Sequence, residues 1–276
     1  MEALFSLTPA ESKRLIAKAV VAIPEVVSAR DEGYLVIGRG TTNAYIAEEL
    51  LNESVDKERY AAGQTIRGIL CVLPAGTRGR PVTFHKGTVI DVDPGTIIDK
   101  LGPGDMVLKG ANALDPAGNV GVTMASPVGG TMAQFYLAAK AQGVQTLYPV
   151  GLEKLIPSVE VAAQYGGRLR LGRTIGAPVG MVCIADGRVV TEIEAIEHLF
   201  DVTAVPFAAG GYGGSEGMIT FVIEGDAEDV DPCMDFIEGI KGEPALESVK
   251  GPCKTCPEIC SFQGLDEEDL PGYLRD

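Results

Sequence analysis

The sequence predicts a mixed α/β protein built on a mostly parallel sheet that helices cover on both faces. Short apolar runs typical of buried strands alternate with amphipathic helical segments along most of the 276 residues. Glycine is abundant, with 35 residues, and tryptophan is absent, which suits many tight strand–helix turns better than a helical bundle. The length and the 46% of hydrophobic residues allow one large domain, or a main domain with a small one beside it.

The elements follow from local signals along the chain. Thr8 is a suitable N-cap, Pro9 suits the first turn, and the helix is expected to run to about Ile23, where Pro24 stops it. Further helices are predicted over 43–51, 131–142, 158–165, 192–200 and 230–240. Strands are predicted over 34–37, 66–73, 81–84, 88–92, 106–109, 120–124, 146–150, 179–185, 188–191, 202–208 and 218–224, with a hairpin at 179–191.

The net charge of −15 is unevenly distributed. Residues 1–223 carry 19 basic and 23 acidic side chains, whereas residues 224–276 carry 4 and 15. A chain this acidic repels phosphate backbones and anionic headgroups, which argues against nucleic acid and membrane surfaces as partners. Beyond residue 240 we expect little regular structure. We therefore predict an α/β ligand-binding domain over 1–224 and an acidic, cysteine-containing C-terminal module over 225–276.

The sequence also indicates a compartment. No apolar run approaches the roughly 20 residues that cross a bilayer. The first residues lack the basic start and the apolar stretch of a signal peptide. We therefore expect a cytoplasmic protein with reduced thiols. The expected partner is a small anionic metabolite, and a homo-oligomer is left open.

A strand–turn–helix segment, YLVIGRGTTNAYIAEELL, carries the first candidate site. Gly38 and Gly40 let backbone amides approach an anion, and the helix N-terminus adds unsatisfied donors and a partial positive charge. Thr41, Thr42 and Asn43 add side-chain donors. The alternative is a capped helix whose glycines serve only the turn. The segment lacks the Lys-Ser/Thr ending of a Walker loop and the third glycine of a dinucleotide fingerprint.

The stretch GRGTTNAYIAEEL resembles the first strand–loop–helix of the superfamily of ribose-5-phosphate isomerase, glucosamine-6-phosphate deaminase and the coenzyme A transferases (NagB/RpiA/CoA transferase-like). It is also similar to the Gly-Thr-Thr loop of DeoR-type sugar repressors. Residues 106–150 resemble the segment of methylthioribose-phosphate isomerases that reads strand, Gly-Ala-Asp, small-residue loop, Gly-Thr, helix, strand. The resemblance covers residues 34–150 and implies that fold, with the loop holding a phosphate or a comparable anionic group.

The resemblance also suggests residues for chemistry. Asn112 stands where those isomerases have the acid of Gly-Ala-Asp, so Asp115 is the candidate replacement, because isomerisation needs a carboxylate near the carbon whose proton moves. Lys86 and Lys109 follow apolar strands, where they could neutralise a phosphate or simply snorkel to solvent. The coenzyme A transferases use a glutamate nucleophile, for which Glu216 in GGSEGMI is the candidate. A solvated loop glutamate is the simpler alternative.

The cysteines form the second candidate site. Cys253, Cys256 and Cys260 follow the pattern C-x2-C-x3-C, and Cys233 lies twenty residues upstream. Thiolates are the ligands of zinc and of iron–sulfur clusters. Zinc ribbons pair two C-x-x-C turns and only one is present, so we favour an iron–sulfur cluster over zinc. The alternative is a disordered thiol-bearing tail or a redox disulfide. The other two cysteines lie in apolar strands and are interpreted as buried hydrophobes: Cys71 and Cys183.

The leading hypothesis is therefore binding, and conversion of the isomerase or transferase type, of a small phosphorylated or nucleotide-like metabolite. The loop 38–43 would hold the anion, with Lys109, Asn112 and Asp115 near the reacting part. One alternative is a coenzyme A transferase-like enzyme that uses Glu216. Another is a non-catalytic sensor whose cysteines report redox state or metal. The substrate, and whether the protein is catalytic, stay open.

Overall fold

The computed structural model describes residues 1–275, apart from the side chains of residues 131, 132 and 134, and confirms the predicted mixed α/β class. Among these residues no helix combines the length and the apolar character needed to cross a bilayer. The helices are α1 (Pro9–Ala22), α2 (Pro24–Glu32), α3 (Thr41–Leu51), α4 (Gly130–Gln142), α5 (Val159–Ala163), α6 (Glu192–Leu199) and α7 (Ala227–Ile240). The strands are β1 (Glu2–Leu7), β2 (Tyr34–Ile37), β3 (Gly63–Ile66), β4 (Ile69–Val72), β5 (Val82–His85), β6 (Thr88–Val89), β7 (Met106–Leu108), β8 (Ala113–Leu114), β9 (Val120–Met124), β10 (Gln145–Pro149), β11 (Gly180–Ile184), β12 (Arg188–Val190), β13 (Thr203–Gly210) and β14 (Met218–Glu224).

The largest sheet has six strands in the order β12-β10-β7-β2-β5-β6. The first four run parallel, with Leu35 opposite Met106 and Met106 opposite Gln145. β5 and β6 are antiparallel to their neighbours, so the sheet is mixed. Three smaller sheets accompany it, with the orders β1-β14-β13, β11-β9-β8 and β3-β4. The parallel strands bring the loops that follow β2 and β7 side by side.

Strand β2 buries both of its side-chain rows. Leu35 lies in the largest hydrophobic cluster with Leu15 of α1 and Ile46 of α3. Val36 points the other way and packs in a second cluster with Phe135 of α4. Burial on both sides explains the uninterrupted apolar sequence of this strand.

The N-terminal region contains more structure than expected. Thr8 is the expected N-cap, and with Glu11 it forms a capping box in which Glu11 Oε2 accepts from Thr8 N at 2.8 Å. Pro24 not only follows α1 but also begins α2, because the first helical position needs no amide donor. β1 was not predicted from the residue pattern, and it pairs with β14 along its whole length.

Two strand predictions were wrong. The predicted strand 66–73 covers only the end of β3, a tight two-residue turn and β4. Arg67 and Gly68 form that turn, with φ values of 48° and 76°. Residues 179–191 do not form a hairpin, because β11 pairs with β9 whereas β12 pairs with β10. A Cβ at Gly187 would lie 2.6 Å from the Tyr148 ring, so glycine at this position allows the chain to pass close to β10 of the main sheet.

Helix α7 belongs to the main core. It contributes four buried residues to the cluster that contains α1 and β2: Val230, Cys233, Ile237 and Ile240. Packing of the main domain therefore continues past the predicted boundary at residue 225. From residue 241 to residue 275, a segment we call the tail, the chain has only short 3-10 turns at Cys253–Thr255 and Glu267–Asp269. Leu270 and Leu274 of the tail pack on Ile69 of β4.

Candidate functional site

A cavity of about 680 Å³ lies beside the carboxyl ends of β2 and β7. The N-termini of α3 and α4 face it, and the hairpin β3–β4 and residues 246–248 of the tail complete its wall. Cavities of roughly 300–1,000 Å³ are typical of small-molecule sites. The position also agrees with the general rule that ligands of α/β sheets bind outside the carboxyl ends of the strands.

The loop between β2 and α3 brings backbone amides to this cavity. Gly38 N donates to Leu108 O at 2.9 Å, and a Cβ at Gly38 would lie 3.0 Å from that oxygen. Gly40 adopts φ 158° and ψ 148°, a conformation that is essentially restricted to glycine. Because Gly40 occupies the N-cap of α3, no side chain caps this helix. Its first amides, beside the lining residues Thr41 and Thr42, can therefore donate to a bound anion.

Asn43, expected to contact the ligand, instead holds the loop in place. Its side chain is completely buried, and its Nδ2 donates to Gly38 O at 2.7 Å and to Leu108 O at 3.1 Å. The amide thereby joins the end of β2 to the end of β7. Tyr60 supports the same strand end, because its hydroxyl donates to Ile37 O and accepts from Val82 N, both at 2.8 Å.

The N-terminus of α4 has the same construction as that of α3. Gly129 and Gly130 adopt φ values of 71° and 59°, and Gly129 leaves the N-cap position without a capping side chain. Ser126, which accepts from Val128 N at 3.3 Å, lines the cavity beside them. Two helix ends with partial positive charge therefore face the same space.

Four cationic side chains line the cavity: Arg39, Arg78, Lys109 and Lys154. Backbone carbonyls orient both guanidinium groups, since Arg39 Nε donates to Gly79 O and Arg78 Nε donates to Leu73 O, each at 2.8 Å. Within residues 1–275, none of the four forms an ion pair with a carboxylate. Three acidic residues also contribute to the lining: Glu58, Glu247 and Glu258.

The lysines sit in an environment that disfavours their charged forms. Burial, together with the nearby charge of Lys154, lowers the pKa of Lys109 from its ordinary 10.5 to about 8. Burial also lowers the pKa of Lys154, against the opposing attraction of Glu153. Lys109 Nζ donates to Gly110 O at 3.0 Å. An amine with a pKa near 8 is suited to proton transfer or to nucleophilic attack.

Lys86 and Glu216, two predicted site residues, lie outside the cavity lining, as do Asp115 and the loop residues Gly38 and Asn43. Lys86 is exposed in the β5–β6 turn, beside His85, whose ring stacks on Tyr34 at the opposite end of β2. Glu216 is exposed in the β13–β14 loop and accepts from Gly214 N at 2.9 Å. The structure therefore gives neither side chain a place beside the loop 38–43.

Asp115 is a structural residue of the turn that follows β8. Its carboxylate accepts four hydrogen bonds, from Ala117 N, Asn119 N, Asn119 Nδ2 and Val159 N, at 2.8 to 3.1 Å. Burial alone would raise its pKa, but these donors hold the pKa below the ordinary value. A fully bonded carboxylate is poorly suited to act as the proton acceptor of an isomerase. Asn112 does line the cavity, and its Oδ1 accepts from Thr123 N at 3.0 Å.

The cysteines are divided between two places. Cys233 is buried in α7 within the largest cluster, whereas Cys253 packs against the small cluster around Ile69. Cys233 is therefore not brought to the other three predicted ligands. Cys71 of β4 lines the cavity, two residues from Ile69, on which the tail packs. In the described part of the chain, no group of three cysteine, histidine or acidic side chains is placed to hold a single metal ion.

Sequence reasoning missed several residues of the lining. Arg39 lies between the two glycines of the predicted loop, so its position could have suggested a role. Arg78 and Lys154 lie in loops that contact the site only through the tertiary fold. Gly129 directly precedes Gly130 and Thr131 in the segment 106–150, and two consecutive glycines are typical of a turn.

In comparisons with known proteins, neither a family model nor a curated protein matches this chain. The superfamily resemblance of residues 34–150 therefore stays a prediction.

Proposed function

We propose that the protein binds a small phosphorylated or nucleotide-like metabolite in this cavity and converts it in an isomerase- or transferase-type reaction. The observation that carries the proposal is the convergence of two uncapped helix N-termini and four cationic side chains on one cavity. These groups offer donors and positive charge to a phosphate, although the protein as a whole has a net charge of −15.

The phosphate is best accommodated at the N-terminus of α3. The amides after Gly40 and the hydroxyls of Thr41 and Thr42 offer donors, and the guanidinium groups of Arg39 and Arg78 offer charge-assisted hydrogen bonds. Arg39 lies close enough to Arg78 that their repulsion, after burial, lowers the pKa of Arg39. A bound dianion relieves this repulsion, so its binding is favoured beyond the hydrogen bonds alone.

Lys109 is the residue best placed for chemistry. It follows β7 directly, lines the cavity and contacts the loop that holds Gly38, since a Cβ at Gly38 would lie 3.4 Å from Lys109 Cδ. Its lowered pKa leaves part of the population neutral near pH 8, so the amine can accept a proton. With Asp115 bound within its turn, proton transfer in this proposal falls to Lys109 rather than to a carboxylate.

The coenzyme A transferase alternative receives no comparable support. Its nucleophile, Glu216, would need to reach an acyl group in a protected site, whereas Glu216 is exposed in a glycine-rich loop outside the lining. The same loop position is typical of a solvated glutamate.

The proposal is tested by measuring binding of inorganic phosphate, ribose 5-phosphate and adenosine monophosphate by calorimetry. Arg39→Met and the double variant Thr41→Ala/Thr42→Ala are expected to weaken phosphate binding at least tenfold, which corresponds to about 1.4 kcal/mol. Lys86→Met is the matched control, because it removes an exposed charge outside the cavity and leaves binding unchanged. If the wild type binds none of the three ligands, or if the control weakens binding as much as Arg39→Met, the proposal is wrong.

A further inference from the structure

Three thiols of the tail are gathered in one compact loop. Cys256 N donates to Cys253 O at 3.2 Å, Gln263 N donates to Cys260 O at 3.2 Å, and Gly264 N returns to Cys253 O at 3.0 Å. These bonds close the segment 253–264 on itself. All three cysteines are reduced and partly buried.

A fourth thiol comes from the main domain. Ile69 and Cys71 are two residues apart in β4, so their side chains lie on the same face of the hairpin. Cys253, Phe262 and Leu265 of the tail pack around the cluster of Ile69, which identifies this face as the one that the tail covers.

A cross-strand pair supports the same placement of Cys71. Gln64 lies directly opposite Cys71 in the hairpin, so both side chains share a face. Gln64 Nε2 donates to Val249 O at 2.5 Å, and its Oε1 accepts from Val249 N at 3.4 Å. The tail backbone is thereby attached to the hairpin beside Cys71.

The Cys71 thiol lies within electrostatic range of all three thiols of the tail. Burial raises the pKa of Cys71, and charge on Cys256, Cys260 or Cys253 would raise it further. Cys233 has no such neighbour, because burial is the cause that raises its pKa to about 11.

We propose that Cys71, Cys253, Cys256 and Cys260 bind an iron–sulfur cluster at the wall of the cavity. A single zinc ion, with Zn–S bonds of about 2.3 Å, draws its sulfurs to within about 4 Å of one another. In the described residues no three such side chains are placed to hold one metal ion. A cluster holds its four thiolates at separate iron atoms and so accepts a wider spacing. Each thiol loses a proton on binding, and the cluster joins the tail to the hairpin.

This ligand set replaces Cys233 with Cys71 and needs no rearrangement of α7. It is also independent of the proposed phosphate chemistry, because the four cysteines include none of the anion-binding groups. The tail buries only Leu270 and Leu274 almost completely, so a metal centre supplies stability that its small apolar cluster does not.

The test uses the full chain, produced without oxygen and reconstituted with equal amounts of ferrous and ferric iron and with sulfide, so that a mixed-valence cluster needs no other oxidant. Iron and acid-labile sulfide are measured together with visible absorbance and electron paramagnetic resonance. We expect a brown protein with about four irons per chain. Cys71→Ala and Cys256→Ala lose most of the iron and the visible absorbance, whereas Cys233→Ala and the control Cys183→Ala keep both.

Circular dichroism of each variant shows whether the main domain has folded. If Cys71→Ala is unstable, Cys256→Ala still tests the cluster, because this substitution changes only the tail. Retention of the cluster in folded Cys71→Ala, or its loss in folded Cys233→Ala, overturns the ligand set. Stoichiometric zinc that iron and sulfide do not replace, or a protein that binds neither, overturns the cluster itself.

Discussion

Replacing Lys109 with methionine is expected to make the ligand-free protein more stable while weakening its binding of phosphate. The amine is held in a cavity with Lys154 nearby, and its pKa falls from 10.5 in the unfolded chain to about 8 in the folded protein. At pH 7 the charged amine therefore opposes folding. Methionine keeps most of the aliphatic packing but carries no charge.

The magnitude follows from the two pKa values. The difference between 10.5 and about 8 corresponds to about 3.4 kcal/mol, at 1.36 kcal/mol for each pKa unit. The variant also loses the hydrogen bond from Lys109 Nζ to Gly110 O, and this loss reduces the gain in stability by about 1 kcal/mol. The variant should then gain about 2 kcal/mol at pH 7.

The stability gained by Lys109→Met depends on pH. The penalty of the charged amine is complete below the folded pKa of about 8 and disappears above the unfolded value of 10.5. Urea denaturation at pH 7 and at about pH 9.5 should therefore show that the advantage of Lys109→Met shrinks by more than half. Lys86→Met is the control and should change neither curve. A variant that is less stable than the wild type at pH 7, or an advantage that is equal at both pH values, would refute the reasoning.

Three further predictions follow. Burial raises the pKa of Glu192, whose Oε2 accepts from Leu152 N at 2.9 Å. The contribution of Glu192 to stability is therefore present at low pH and is lost as the pH rises through the raised pKa of the folded protein. Thermal melts from pH 5 to pH 9 should show Glu192→Gln gaining stability over the wild type toward the alkaline end. Asn43→Ala should lose about 2 kcal/mol in urea denaturation and also weaken phosphate binding, because two strand ends lose their common donor. Asp115→Ala should lower the free energy of unfolding by about 3 kcal/mol at neutral pH, and by less in acid because the pKa of Asp115 is lowered in the folded protein. The variant should keep its phosphate affinity. A loss of affinity in the folded variant would contradict the structural role of Asp115.

Local signals predicted the parts of the fold that neighbouring residues determine. The capping box of Thr8 and Glu11 begins α1, and the glycine-containing turn after Ile37 leads into α3. The apolar run of β2 predicted a buried strand, and Leu35 and Val36 of this strand are buried in two hydrophobic clusters. These features depend on interactions within a few residues, where capping, turn geometry and side-chain alternation act.

Pairings across long separations could not be predicted in this way. The strand patterns of 180–184 and 188–190 are compatible with a hairpin, and only packing decides that they join different sheets. Cys71 and the tail are some 180 residues apart in sequence, so no spacing rule connects them. Asp115 illustrates a different error. Its residue type suited catalysis, but three donors of its own turn and the distant amide of Val159 gave it a structural role.

The sequence by itself determined the mixed α/β class, the glycine loop at the start of α3 and the three clustered thiols of the tail, because each depends on residues close together in the chain. The tertiary structure decided that a second helix N-terminus and the distant cations Arg78 and Lys154 share the cavity with that loop. It also decided which cysteine stands beside the tail. The physical reason is the same for both: burial and charge act through space, and only the folded chain sets which distant groups share one low-dielectric environment.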